Sequence, residues 1–126
     1  METIFLKRIY EPFDENDGYR ILVDRLWPRG ISKEKARLNE WMKEIAPSNT
    51  LRQWFCHKPE LFEEFRIRYV EELRTDETKQ NLMKQILETA ESSRVTLLYG
   101  AKDPIHNHAV ILFEELMRGI NAKYVQ

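Results

Sequence analysis

Cysteine is almost absent: Cys56 is the one thiol in 126 residues. That excludes an intramolecular disulfide framework and suits a reducing compartment. Glycine and proline are scarce too, at 4 and 5, which argues against a collagen-like or low-complexity chain. No apolar run approaches the ~18 residues of a membrane span. The opening METIFLKRIY lacks the long apolar core and small-residue cleavage site of a signal peptide. There is no Gly-rich phosphate loop and no Gly-x-Ser-x-Gly elbow, so two readily legible nucleotide and hydrolase signatures are missing. With 42% hydrophobic and 33% charged residues, the composition is that of a folded chain. Together these features predict a soluble cytoplasmic protein with a single domain over residues 1–126.

The formal net charge is only −1, so the molecule as a whole neither attracts nor repels nucleic acid strongly. The charge is unevenly spread. Between residues 20 and 37, Arg20, Arg25, Arg29, Lys33, Lys35 and Arg37 face only Asp24 and Glu34. Between 60 and 91, carboxylates such as Glu63, Glu64, Glu71, Glu72 and Asp76 outnumber the cations. The basic segment is either a solvated face or a seat for an anionic partner.

Hydrophobic patterning predicts alternating strands and helices. TIFLKRIY (3–10) and YRILVD (19–24) read as strands, joined by the turn-rich EPFDENDG. That connection is too short for a helical crossover, so the first strand pairs antiparallel or reaches its place by an extended loop. In SKEKARLNEWMKEIAP, Leu38, Trp41, Met42 and Ile45 recur at helical spacing and predict an irregular helix stopped by Pro47. Ser48 or Asn49 caps the next helix, which stops before Pro59. PELFEEFRIRYVEELR aligns Phe62, Phe65, Tyr69 and Leu73 on one face, with Glu64 and Arg68 as a solvated pair. A helix near 77–91 stacks Leu82, Met83, Ile86, Leu87 and Ala90. RVTLLYG (94–100) is a strongly apolar strand. The helix AVILFEELMR turns Ala109, Leu112, Phe113, Leu116 and Met117 inward, with Gly119 closing it, and AKYVQ adds a terminal strand. The fold class expected is α/β, a small layered domain with a short, mostly parallel sheet of three to four strands flanked by helices.

Ligands of open parallel sheets bind outside the carboxyl ends of the strands. Two junctions there carry chemistry: DRLWPRG (24–30) and YGAKDPIHNH (99–108). Arg25 offers a planar fork to phosphate or carboxylate, with Asp24 orienting it or acting as acid or base; the alternative is a structural pair at the sheet end. Trp27 either stacks on a flat ligand or caps a core edge. Arg29 precedes a helix capped by Ser32, whose N-terminus favours anions. In the second junction, Asp103 with Pro104 opens a helix, or Asn107 caps it and leaves His106 outside and His108 in its first turn. The dipole there disfavours an imidazolium, which suits His108 to proton transfer or hydrogen bonding. Lys102 and His106 complete the set of binding candidates. His106 and His108 diverge at a helix start, so no metal site is assigned. Cys56 and His57 are sequence neighbours that point apart on a helix and do not make a nucleophile–base dyad.

The segments KRIY, DGYRILVDRLWPRGISKE, LNEWMKEIAPS, LRQWFCHKPELFEEFRIRY and LLYGAKDPIHNHAVIL together resemble the bacterial YeaO-like family, a branch of a larger family of unknown function. The resemblance spans nearly the whole chain and implies a small cytoplasmic bacterial α/β protein, with no activity attached. The larger family pairs an Asp-Val-Arg strand end with an Ala-Glu-Lys-x-Pro junction and a Cys-His-Arg helix start. Asp24-Arg25 resembles the first without its Val, and Ala101, Lys102 and Pro104 fall near the second. Asn107-His108-Ala109 stands in place of Cys-His-Arg, which removes the thiol and leaves His108 as the matched residue.

The function expected is a site for an anionic small molecule or nucleotide. Arg25, Trp27, Arg29, Lys102 and His106 would bind it, and Asp24, Asp103 and His108 are the acid–base candidates. The alternative is a non-catalytic nucleic-acid or protein-binding module using residues 20–37. No cofactor is named by these residues.

Overall fold

The computed structural model describes residues 3–125, and from residue 121 onward the backbone alone. Its strands are β1 (Ile4–Arg8), β2 (Tyr19–Leu22), β3 (Glu40–Trp41) and β4 (Val95–Tyr99). The helices are α1 (Lys33–Ala36), α2 (Asn49–Phe55), α3 (Phe62–Thr75), α4 (Glu77–Ser92) and α5 (His108–Val125). The sheet runs β1-β4-β2-β3 and is parallel throughout, with Ile4 opposite Val95, Tyr19 opposite Val95 and Ile21 opposite Glu40. The α/β class read from the patterning is what the chain adopts, with the sheet wholly rather than mostly parallel.

The first two strands are not partners, because β4 lies between them. The connection from residue 9 to 18 is therefore an extended loop that returns the chain to the start of β2. Gly18 makes this possible: at φ 70 it sits so close to the Arg94 carbonyl that a Cβ would lie 2.3 Å from the oxygen. Only glycine fits there. Strand β4 is buried along all five residues, as expected of a strand with neighbours on both edges and cover on both faces.

The two faces are covered unequally. On one, Ile4, Ile21, Val23, Val95, Leu97 and Tyr99 pack under Phe65, Tyr69 and Leu73 of α3, Ile86 of α4, and Leu112 and Leu116 of α5. Each such side chain contributes about 1.5–3 kcal/mol by leaving water. On the other face, Ile9, Leu22 and Leu98 form a smaller apolar cluster with Ala36 of α1, packed against the partly buried Trp27, Ile31, Leu38 and Trp41.

That second face explains why residues 32–47 are not the irregular helix that spacing predicts. Ser32 does cap a helix, its Oγ accepting from Lys35 N at 3.1 Å, but α1 ends after one turn at Arg37, φ 47. The chain then extends into β3 and enters a 3-10 turn at Lys43–Ile45. Leu38 and Trp41 join the thin face while Met42 and Ile45 join the main core. The apolar spacing thus serves two cores, which one helical face cannot do.

Gly119 likewise does not close the last helix. Helix α5 continues through it to Val125, so residues 122–125 of AKYVQ are helical rather than a terminal strand, and Gln126 lies outside the described residues. The glycine serves packing: a Cβ there would meet Leu87 Cδ1 at 3.3 Å. At the start of α2, Ser48 is the cap chosen, accepting from Leu51 N at 3.2 Å, and within α3 the Glu64–Arg68 pair forms at 2.9 Å.

Candidate functional site

Because the sheet is parallel, the carboxyl ends of β2 and β4 adjoin, and the two junctions meet there. Asp24 Oδ2 accepts from Gly100 N at 2.9 Å, and the Asp24 carbonyl accepts from Trp41 Nε1 at 2.8 Å. His108 opens α5, with Asn107 as cap accepting from Val110 N at 3.1 Å. His108 Nε2 lies 2.9 Å from the Val23 carbonyl. A carbonyl only accepts, so Nε2 carries the proton. The same nitrogen is 3.3 Å from Asp24 Oδ1, yet that oxygen is buried and receives no hydrogen bond.

Of the two candidate caps, Asp103 thus holds the preceding turn. Its Oδ1 accepts from Ile105 N at 2.9 Å and His106 N at 3.0 Å, and Oδ2 lies 2.8 Å from His106 Nδ1. The backbone N–H groups of His106 and Ile105 and the His106 ring together bring the Asp103 carboxyl down to about 2. His106 turns toward Asp103 and His108 toward Val23, so the two rings serve different partners. Among the described residues, no group of three or more His, Cys, Asp and Glu side chains is placed to hold a metal ion.

Two connected hollows occupy this end of the sheet. The deeper is a cavity of about 140 Å³, with Phe55, Phe65, Ala46 and Pro47 as apolar walls and Asp24, Arg52, His57 and His108 among its polar lining. The shallower is a groove of about 540 Å³ bordered by Tyr10, Trp27, Lys102, Asp103 and His106. Asp24, Leu26, His57 and Ala101 line both.

The cations expected to bind a ligand are placed differently from one another. Arg25 lines the cavity but donates from Nε to the Pro47 carbonyl at 3.1 Å and from Nη2 to the Ala46 carbonyl at 3.2 Å, with Glu44 at 3.6 Å. It ties the strand end to the segment before α2. Arg29 is exposed and lines neither hollow; its carbonyl accepts from Tyr10 OH at 2.8 Å. Trp27 caps a core edge, the second of the two roles expected of it. Its Nε1 donates to the Ile31 carbonyl at 2.6 Å and its ring meets Trp41 edge-on at 5.3 Å, while it also borders the groove. Within residues 20–37, Arg20 and Arg25 are turned inward, leaving Arg29, Lys33, Lys35 and Arg37 exposed.

Two lining residues escaped sequence reading. Arg52 sits in α2 with its Nε buried and without an acceptor; its Nη2 reaches only Asn49 Oδ1 at 3.4 Å. A signal existed, since Arg52 is three residues before the core residue Phe55 and so leans toward the inward face of the helix. His57 reaches the cavity because Cys56 and His57 both adopt left-handed backbone, φ 46 and 56. This breaks α2 and folds its end back over the site. No side-chain pattern announces that turn. Cys56 itself is exposed.

Residues 3–124 match the family described as the inactive DUF488-N3 subclade. The chain belongs to that subclade. Similar members carry no assigned activity. Uncharacterized protein YeaO of Escherichia coli strain K12 is 46% identical over 114 residues, 90% of this chain and 96% of that protein. Uncharacterized protein Rv3073c of Mycobacterium tuberculosis strain H37Rv is 41% identical over 109 residues, 86% and 89%. Uncharacterized protein Mb3100c of Mycobacterium bovis is equally similar. No solved structure matches the chain. Among the described residues of this subclade member, no helix is long and apolar enough to cross a membrane.

Proposed function

We propose that this chain is a cytoplasmic, non-catalytic binding protein for a small anionic molecule, held in the cavity at the carboxyl ends of β2 and β4. The observation that carries this reading is Arg52: a guanidinium Nε–H, buried in the lining of a concave site, with no acceptor of its own. Buried donors are almost always paired, and a guanidinium offers planar donors to carboxylate or phosphate. His57 and Lys102 at the entrance add basic groups.

Binding without turnover is favoured by how the acid–base candidates are held. His108 Nε2 donates to a backbone carbonyl, Asp24 Oδ2 accepts from a backbone N–H, and Asp103 is fastened to its own turn. His108 and Asp103 are committed to scaffold, and Asp24 is so through one of its two oxygens; the family's description as inactive agrees with that. The other reading, a nucleic-acid or protein-binding face on residues 20–37, rests on Arg29, Lys33, Lys35 and Arg37, since Arg20 and Arg25 are occupied within the fold.

Thermal unfolding against phosphate, short carboxylates, nucleotides and a single-stranded oligonucleotide tests this. A ligand at ~100 times its dissociation constant stabilises by ~2.7 kcal/mol, a rise of several degrees. The cavity reading expects a small anion to give that rise and Arg52→Gln to abolish it with the ligand-free midpoint unchanged. A response confined to the oligonucleotide, falling steeply with salt and indifferent to Arg52→Gln, would replace this reading with the basic face.

A further inference from the structure

Among the described residues, Asp24 Oδ1 and Arg52 Nε are the buried side-chain polar atoms that lack a hydrogen-bond partner. They belong to residues lining the same cavity, and they are complementary, an acceptor on a carboxyl group and a donor on a guanidinium. We propose that the ligand of this cavity is a small zwitterion of the amino-acid type, its carboxylate meeting Arg52, its ammonium meeting Asp24 and its apolar body lying against Phe55 and Phe65. This rests on the anionic-ligand reading above and narrows it.

Electrostatics and size both point this way. A ligand that is only anionic would satisfy Arg52 but bring negative charge toward Asp24 and leave the buried Oδ1 without a donor. His108 Nε2 lies 3.3 Å from that oxygen but gives its hydrogen bond to the Val23 carbonyl, so Oδ1 still lacks a hydrogen-bond donor. Arg25, the other cation in the lining, donates to the carbonyls of Ala46 and Pro47. An ammonium group supplies the missing donor and cancels the ligand's own charge. The cavity of about 140 Å³ is close to the ~150 Å³ apolar cavity that accepts benzene. That admits a body of a few carbons between two polar ends.

The test is calorimetric titration of the full chain with two matched series. One is leucine, isocaproate and isoamylamine; the other is ε-aminocaproate, caproate and pentylamine. Inorganic phosphate and a mononucleotide run in parallel. At least one zwitterion is expected to bind about tenfold or more tightly than both of its truncated relatives, the scale of one buried charged contact. Asp24→Asn should bring that zwitterion down to the level of its carboxylate relative, and Arg52→Gln should remove binding of both. Equal affinity for zwitterion and carboxylate would overturn the zwitterion and leave the anion reading standing. Arg52-dependent binding of phosphate or mononucleotide alone would do the same. No binding by any probe would overturn both. If Asp24→Asn does not fold, the ranking of the two series on the native chain still decides.

Discussion

Two aspartates flank β2 and have opposite fates. Asp17, just before the strand, uses both carboxyl oxygens: Lys7 Nζ donates to them at 3.0 and 2.9 Å, Arg20 Nη1 donates to one, and Asp14 N reaches the same oxygen at 3.2 Å. Its carbonyl accepts from Thr96 Oγ1 at 2.7 Å. Arg20, 1% exposed, completes the knot by donating to the carbonyls of Arg37 and Ala36 at 3.2 and 2.8 Å. Asp24, just after the strand, has one oxygen on Gly100 N, while the other receives no hydrogen bond and has His108 Nε2 at 3.3 Å. A carboxyl group that holds a fold together has no unused oxygen; one at a site keeps an oxygen for something else. Arg20 and Arg52 repeat the contrast with donors.

The contrast breaks most easily at Asp17. Asp17→Ala leaves Arg20 buried without its counter-charge, and removing one partner of a buried pair costs about 3–5 kcal/mol. Denaturant unfolding should show a midpoint far below the native one; a loss under about 1 kcal/mol would mean the knot is not structural. Acid comes next. Burial pushes the Asp17 carboxyl up, but the hydrogen bonds from Lys7, the Asp14 backbone and Arg20 outweigh it and hold it below the usual value. Asp103 is held at about 2. A carboxyl lowered in the folded state stabilises fully above its unfolded value, ~3.9, and that contribution is lost as pH falls through the folded value. Stability should therefore drop below pH ~4, and Asp17→Asn should flatten that decline in a pH series of unfolding midpoints.

Asp24 should matter less to the fold. Asp24→Ala forfeits the Gly100 N–H contact and costs about 1–2 kcal/mol, whereas Asp24→Asn keeps an acceptor and costs under about 1 kcal/mol. The smallest change in stability belongs to Arg52→Gln, within about 0.5 kcal/mol, although it should abolish ligand response. A large destabilisation by Arg52→Gln would move Arg52 into the structural class and erase the distinction.

Much of this was visible in the chain itself. VTLLY has the continuous apolar run of a strand covered on both faces, and Phe62, Phe65, Tyr69 and Leu73 mark the inward face of α3 before any coordinates are known. Position at strand ends also singled out the two junctions. What stayed hidden depends on distant contacts. The insertion of β4 between β1 and β2 joins residues far apart in sequence, and no local pattern encodes that. Arg25 is turned away from solvent by carbonyls of Ala46 and Pro47, a partnership invisible from its own neighbours. Asp17 lay in a segment that read as an ordinary turn, because its partners Lys7 and Thr96 arrive from other strands. Arg52 lay on a helix whose inward lean was legible but unused.

The most direct test compares the side-chain Nε–H resonances of Arg52 and Arg20 by ¹⁵N–¹H NMR during separate titrations with leucine and inorganic phosphate. Arg20 Nε already donates to the Arg37 carbonyl; Arg52 Nε has no acceptor. The account predicts that with at least one of the two ligands the Arg52 signal shifts saturably and gains protection from exchange while the Arg20 signal stays fixed. An Arg52 signal that ignores both ligands, or moves only as far as that of Arg20, would contradict the assignment of this cavity as a binding site.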